Sequence, residues 1–91
     1  MITFDEVKRQ ANIEKHGFDL ADAEMVYYAP SKVTFTSPRN GENRKLDLAM
    51  VKLHGVVLAL AYVERGDEIR AISLRRASRQ ERSLYEAAKQ N

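Results

Sequence analysis

The run Val56-Val57-Leu58-Ala59-Leu60-Ala61-Tyr62-Val63 constrains this chain more than any other stretch. Eight residues without a charge are far short of the roughly 20 needed to cross a bilayer, so the run has to be buried inside a protein. Tight-turn formers bound it, His54-Gly55 before and Arg65-Gly66-Asp67 after. A short apolar run closed in this way predicts a central strand over 56–64. Two tight turns in succession make its neighbours antiparallel to it. Before it, residues 44–52 alternate with Leu46, Leu48 and Met50 on one side, the period of a half-buried strand. After it, residues 68–75 supply the next strand. A fourth is predicted over 32–37, where Val33, Thr34, Phe35 and Thr36 favour extended backbone and Pro38, Asn40 and Gly41 signal a turn.

Helical signals occupy the two ends of the chain. Asp5 is suited to cap a helix through residue 15, with Phe4, Val7 and Ala11 spaced as one apolar stripe. Gly17 fits the left-handed position past its end, and Lys15 and His16 complement the dipole there. Asp19 begins a second helix that Pro30 stops, with Phe18 placed to pack on Ala23. Ser78 and Glu81 have capping-box spacing and open a last helix through residue 89. The expected fold is a single α+β domain over residues 1–91. It has two N-terminal helices, an antiparallel sheet of about four strands in a meander and a C-terminal helix, with the helices gathered on one face.

The chemistry open to such a chain is narrow. There is no cysteine, so neither a disulfide framework nor a cysteine zinc site is available. Two histidines and scattered carboxylates predict no metal site and no cofactor. The nucleotide-binding, metalloprotease and serine-hydrolase motifs are missing. No secretory signal opens the chain, and a cytoplasmic location is expected by default. Net charge is only +2, yet residues 65–82 carry six arginines (Arg65, Arg70, Arg75, Arg76, Arg79, Arg82) against three acids. Guanidinium groups match phosphate oxygens, so a focused anionic partner is one reading and a solvated face the other.

RNA cleavage without a metal needs only such side chains. The ribose 2′-OH is the nucleophile, and the protein supplies proton transfer and cations. His16 is either a helix-end histidine or an acid–base group, and His54 is a turn residue. Lys8 and Lys15 are surface residues unless their helix borders the site. Arg65 and Arg70 flank a hairpin turn. Arg75 and Arg76 point to opposite faces, so one of the two reaches a substrate. Tyr85 either packs on the sheet or offers its hydroxyl, and Tyr27 and Tyr28 belong to core and rim.

Two blocks resemble the BrnT family of type II toxins. The first is Phe4-Asp5 with Lys8 three positions beyond the aspartate, then Asn12, Lys15-His16-Gly17 and Asp22-Ala23. The second runs from Tyr62 to Tyr85 and includes Ile72-Ser73-Leu74-Arg75-Arg76-Ala77 and Glu81-Arg82-Ser83-Leu84-Tyr85. The family usually carries Trp where this chain has Phe4. The resemblance implies a RelE-like fold and a ribonuclease that arrests translation. It also implies a BrnA-like antitoxin, through which alone the toxin would meet operator DNA. It favours Lys8, His16, Arg65, Arg76 and Tyr85 as the catalytic group, with Arg65 and Arg76 as a phosphate clamp and His16 and Lys8 nearer the proton transfers. Arg70, Arg75 and Arg79 would bind RNA, with no metal, cofactor or membrane involved. The alternative is a non-catalytic module that binds nucleic acid or the antitoxin.

Overall fold

In chain order the elements are β1 (Ile2–Thr3), α1 (Glu6–His16), a 3-10 turn at Leu20–Asp22, α2 (Glu24–Tyr27), β2 (Val33–Thr36), β3 (Arg44–Val51), β4 (Val56–Arg65), β5 (Glu68–Arg76) and α3 (Arg79–Lys89). The computed structural model describes residues 1–36 and 43–90. The turn expected at Pro38, Asn40 and Gly41 lies outside the described residues. The apolar run is the middle strand of a sheet ordered β1-β5-β4-β3-β2. Strands β2 to β5 are antiparallel in succession, and β1 joins β5 in parallel, Ile2 opposite Ile69 and Thr3 opposite Arg70.

This arrangement corrects the expected fold in three respects. The sheet is five-stranded and mixed, because Ile2–Thr3 adds a parallel strand too short to leave any periodicity in the sequence. The second N-terminal helix does not form as one piece. Asp19 caps it as expected by accepting from Ala21 N–H at 2.9 Å, but Asp22 and Ala23 then bond three residues back, giving a 3-10 turn before the single α-turn of α2. The helices also lie on both faces of the sheet. Leu20, Ala23 and Val26 pack with Leu58, Leu60, Tyr62 and Leu74 on one face, whereas Tyr85 and Ala77 pack with Leu48, Val57 and Ala59 on the other. Residues 57 to 60 alternate between these two clusters, so β4 is buried on both sides.

Helix α1 starts and stops as the residues dictate. Asp5 accepts from Val7 N–H at 2.7 Å, and Gly17 ends the helix at φ 78°, where its N–H reaches Ile13 O. Its attachment to the sheet is polar, against the expectation of a Phe4–Val7–Ala11 stripe. Val7 is 76% exposed, and Asn12 is the buried residue of the helix. The Asn12 amide donates to Leu74 O at 2.8 Å and to Phe18 O at 2.7 Å, and its carbonyl accepts from Leu74 N–H at 3.1 Å. Asn12 thus takes the place of a neighbouring strand on the edge of β5 that β1 leaves uncovered. Arg9 fastens the same region, donating twice to Asp19 at 2.8 and 2.9 Å and to Glu6 at 2.7 Å. Those donations, with that of Ala21 N–H, hold the Asp19 carboxyl below its usual range.

One fully buried carboxylate completes the frame. Asp47 accepts from Lys32 Nζ at 3.0 Å, Thr34 Oγ1 at 2.7 Å and Tyr62 Oη at 3.0 Å. A charge in the core needs this many donors to offset its lost hydration. Lys32 also lies 4.2 Å over the Tyr27 ring. Burial, and after it the neighbouring Asp47, push the Tyr62 phenol up, so it remains a donor at every physiological pH.

Asn12→Ala strands both backbone groups of Leu74, at a cost of about 2–4 kcal/mol in urea unfolding. Asn12→Asp fares similarly, since a carboxylate cannot donate to Leu74 O or Phe18 O. A loss under about 0.5 kcal/mol in both variants would show that Asn12 does not hold α1 to the sheet.

Candidate functional site

Asn12 is flanked on its own helix by Lys8 and His16, four residues to either side. Positions 8, 12 and 16 form one stripe on a helix, so the residue that grips β5 also brings Lys8 and His16 to that strand's edge. There a groove of about 260 Å³ is lined by Lys8, Ala11, Lys15 and His16 from α1 and by Ile72 and Ser73 from β5. The strand is irregular at this point. Tyr62 stands opposite Ala71 and Ala61 opposite Ser73, so Ile72 is an extra residue without a partner on β4. Such a bulge re-aims side chains and is common beside functional sites.

The electrostatics of the groove are one-sided. Among the described residues, no carboxylate lies within ion-pair distance of Lys8 or Lys15. The His16 imidazole is held below its ordinary pKa, first by burial and then by the positive charges of Lys15 and Arg75. It is therefore neutral at physiological pH and able to accept a proton. Among the described residues, no group of three or more His, Cys, Asp or Glu side chains lies together.

The arginines are not gathered around this groove. Arg75 donates to Glu81 at 2.7 and 2.9 Å, and Glu81 also accepts from Ser78 N–H at 2.8 Å. This network, together with the Ser78 Oγ bond to Glu81 N–H at 3.1 Å, ties the end of β5 to the first turn of α3. It raises the Arg75 pKa and holds the Glu81 carboxyl at about 2, the Arg75 hydrogen bonds being the largest cause for each. Arg76 stands opposite Leu58, seven residues along β4 from Arg65. At about 3.3 Å per residue they are roughly 23 Å apart, too far to hold one phosphate between them. Arg65 lies at the hairpin end opposite Glu68, and Arg70 sits between Val63 and Thr3. Arg76 instead shares a groove of about 190 Å³ with Arg82, Glu86 and Met50. Arg79 lies on the outer side of α3 with Arg82 and Ser83. Tyr85 is 4% exposed, and its hydroxyl accepts from Met50 N–H at 3.3 Å, fixing α3 to β3.

Of the residues expected at the site, the structure therefore joins Lys8 with His16 and puts Arg75 near them, while Arg65 and Arg70, Arg76, Arg79 and Tyr85 fall elsewhere. It adds Asn12, Lys15, Ile72 and Ser73. The four-residue spacing of Lys8, Asn12 and His16 carried the signal for Asn12. No signal marked the bulge.

A small α+β domain with a neutral histidine beside two lysines that meet no carboxylate among the described residues, at an open sheet edge, is equipped to act on a polyanion. Residues 4–81 match the family model described as the ribonuclease toxin BrnT of type II toxin–antitoxin systems, and the chain belongs to that family. It is thus a ribonuclease toxin whose target is RNA and whose partner is an antitoxin. No curated protein matches the chain. Among the described residues, no helix is long and apolar enough to cross a membrane.

The Glu81 tether predicts a pH effect. With its carboxyl held at about 2 against an ordinary 4.5, its stabilisation is complete above pH 4.5 and is lost as pH falls from there through 2. Glu81→Gln should lower stability at pH 7 by about 1–2 kcal/mol in urea unfolding and lose less than the parent between pH 5 and pH 3. Equal losses on acidification would place the acid sensitivity elsewhere.

Proposed function

We propose that the chain is a metal-independent endoribonuclease that cuts RNA in the groove between α1 and β5, and that a BrnA-like antitoxin holds it silent in the cytoplasm. What carries this reading is the company His16 keeps: a partly buried, neutral imidazole beside two lysines that, among the described residues, no carboxylate neutralises. The imidazole accepts the proton of a ribose 2′-OH. The 2′-oxygen bonds to the adjacent phosphorus as the bond from phosphorus to O5′ breaks. One product ends in a 2′,3′-cyclic phosphate, and the other begins with a 5′-OH whose proton comes from the Lys8 ammonium. Lys15 stabilises the charge that grows on the phosphoryl oxygens.

Arg65, Arg70, Arg76 and Arg79 serve the flanking strand, each meeting a different phosphate. Arg75 contributes positive potential near His16 while Glu81 holds its guanidinium in place. In this assignment Tyr85 supports the site by fixing α3 to the sheet and does not touch RNA.

Purified protein given RNA in the presence of a chelator should release fragments with 2′,3′-cyclic phosphate and 5′-OH ends. Activity needs the unprotonated imidazole. The rate should therefore be full at neutral pH and fall on acidification with a midpoint below 6.5, in keeping with the lowered His16 pKa. His16→Ala should slow single-turnover cleavage by about 10²–10⁴-fold. Fragments with 3′-OH ends, or a strict need for added divalent ions, would contradict the mechanism. Tight RNA binding without cleavage would favour a binding module.

A further inference from the structure

Ile72 is a large apolar side chain on a strand, yet it belongs to neither core cluster. The bulge accounts for this. Ile69 and Ala71 face the α1–α2 side of the sheet before it, and Leu74 faces the same side after it, so the extra residue restores the register of the core without entering it. Ile72 instead stands half-buried at the strand edge, where it lines the groove together with Ala11, Lys8, Lys15 and His16 of α1, Ala11 being the apolar member of the helix side. Beside it the Ser73 hydroxyl has no hydrogen-bond partner among the described residues.

A phosphate needs only the cations of this groove. An apolar plate beside them suits a ligand that joins an anion to a flat, weakly polar ring, as a nucleotide does. The groove, at about 260 Å³, also has room for a single base. We infer that Ile72, with Ala11, seats the nucleobase next to the scissile phosphate, and that the bulge in β5 exists to aim it there. Ser73 offers that base or its ribose a hydrogen bond. The inference rests on the groove being the cleavage site. It adds a subsite that reads the RNA by its base, where the lysines read only its charge. Ile72 acts in substrate positioning and takes no part in proton transfer.

The test is a cycle of four dissociation constants measured by fluorescence anisotropy. Parent and Ile72→Ala are each titrated with an oligoribonucleotide that carries a mapped cleavage site, made uncleavable by a 2′-deoxy substitution at the scissile ribose. Each is also titrated with the same strand lacking one base beside the scissile phosphate, taking the two flanking positions in turn. At one position, removing the base should weaken binding to the parent about tenfold and to Ile72→Ala less than twofold. Equal losses in both proteins at both positions, or no loss in the parent, would overturn the inference. Thermal melts check that Ile72→Ala is folded, which its place outside the core predicts. Ile72→Val, which keeps the branched wall, should retain most of the coupling; a Val variant that behaves like Ala would also count against the inference. Cleavage by His16→Ala reports separately on the groove as the active site. If that variant cuts at the parental rate while the base coupling persists, the catalytic reading fails and the base seat stands.

Discussion

The three hydrogen bonds of Asn12 are the hinge on which the arrangement turns. Strand β5 runs at the side of the sheet, and β1 covers it for only two residues. Beyond that point its backbone groups would be left without partners. Asn12 supplies both a donor and an acceptor to Leu74, and its second donation to Phe18 O fixes the chain as it leaves α1. A side chain with only a donor or only an acceptor could not do this. Because the contact falls in the middle of α1, it sets the height and rotation of the whole helix against β5. Lys8 and His16, one turn to either side, inherit their positions from it.

A division of labour among the charges follows. Arg9, Lys32, Lys45 and Arg75 are each bound to a carboxylate, and they fasten parts of the fold to one another: α1 to the cap of the 3-10 turn, the loop before β2 to β3, β3 to β4 and β5 to α3. Lys8 and Lys15 have no such duty among the described residues and line the α1–β5 groove instead. The same contrast separates the neighbours Arg75 and Arg76. Strand alternation turns them to opposite faces, and one meets Glu81 while the other lies exposed at the strand end. An arginine-rich segment is therefore not one cationic surface. It is a set of tethers and separate contact points spread along roughly 23 Å of sheet.

Much of the fold was legible because it rests on local chemistry. Asp5, Gly17, Ser78 and Glu81 mark helix ends by bonds that reach only a few residues, and the run 56–63 announces a strand wherever it is placed. What was illegible depends on distant partners. A two-residue β1 has no pattern of its own and exists only because β5 is there to pair with it. Asp47, placed between Leu46 and Leu48, has the spacing of a solvent-facing residue but is buried because Lys32, Thr34 and Tyr62 meet it from two other strands and the loop before β2. The site divides in the same way. Lys8 and His16 could be picked out from residue type and from family resemblance. Their union with Ile72 and Ser73 depends on one unpaired residue in β5 and on a buried asparagine, which no helix-stripe argument built on apolar residues would select. The wide separation of Arg65 and Arg76 was hidden for a related reason, since proximity within a shared motif says nothing about which end of the β4–β5 pair each residue occupies.

The central claim is that RNA is met between α1 and β5, and an amide NMR titration of the parent protein with an uncleavable 2′-deoxy-substituted strand tests it most directly. The account predicts that the largest shifts fall on Lys8, Ala11, Lys15, His16, Ile72 and Ser73, with smaller ones at the exposed arginines. Shifts centred on the outer side of α3 around Arg79 and Arg82, with the α1–β5 groove silent, would contradict it.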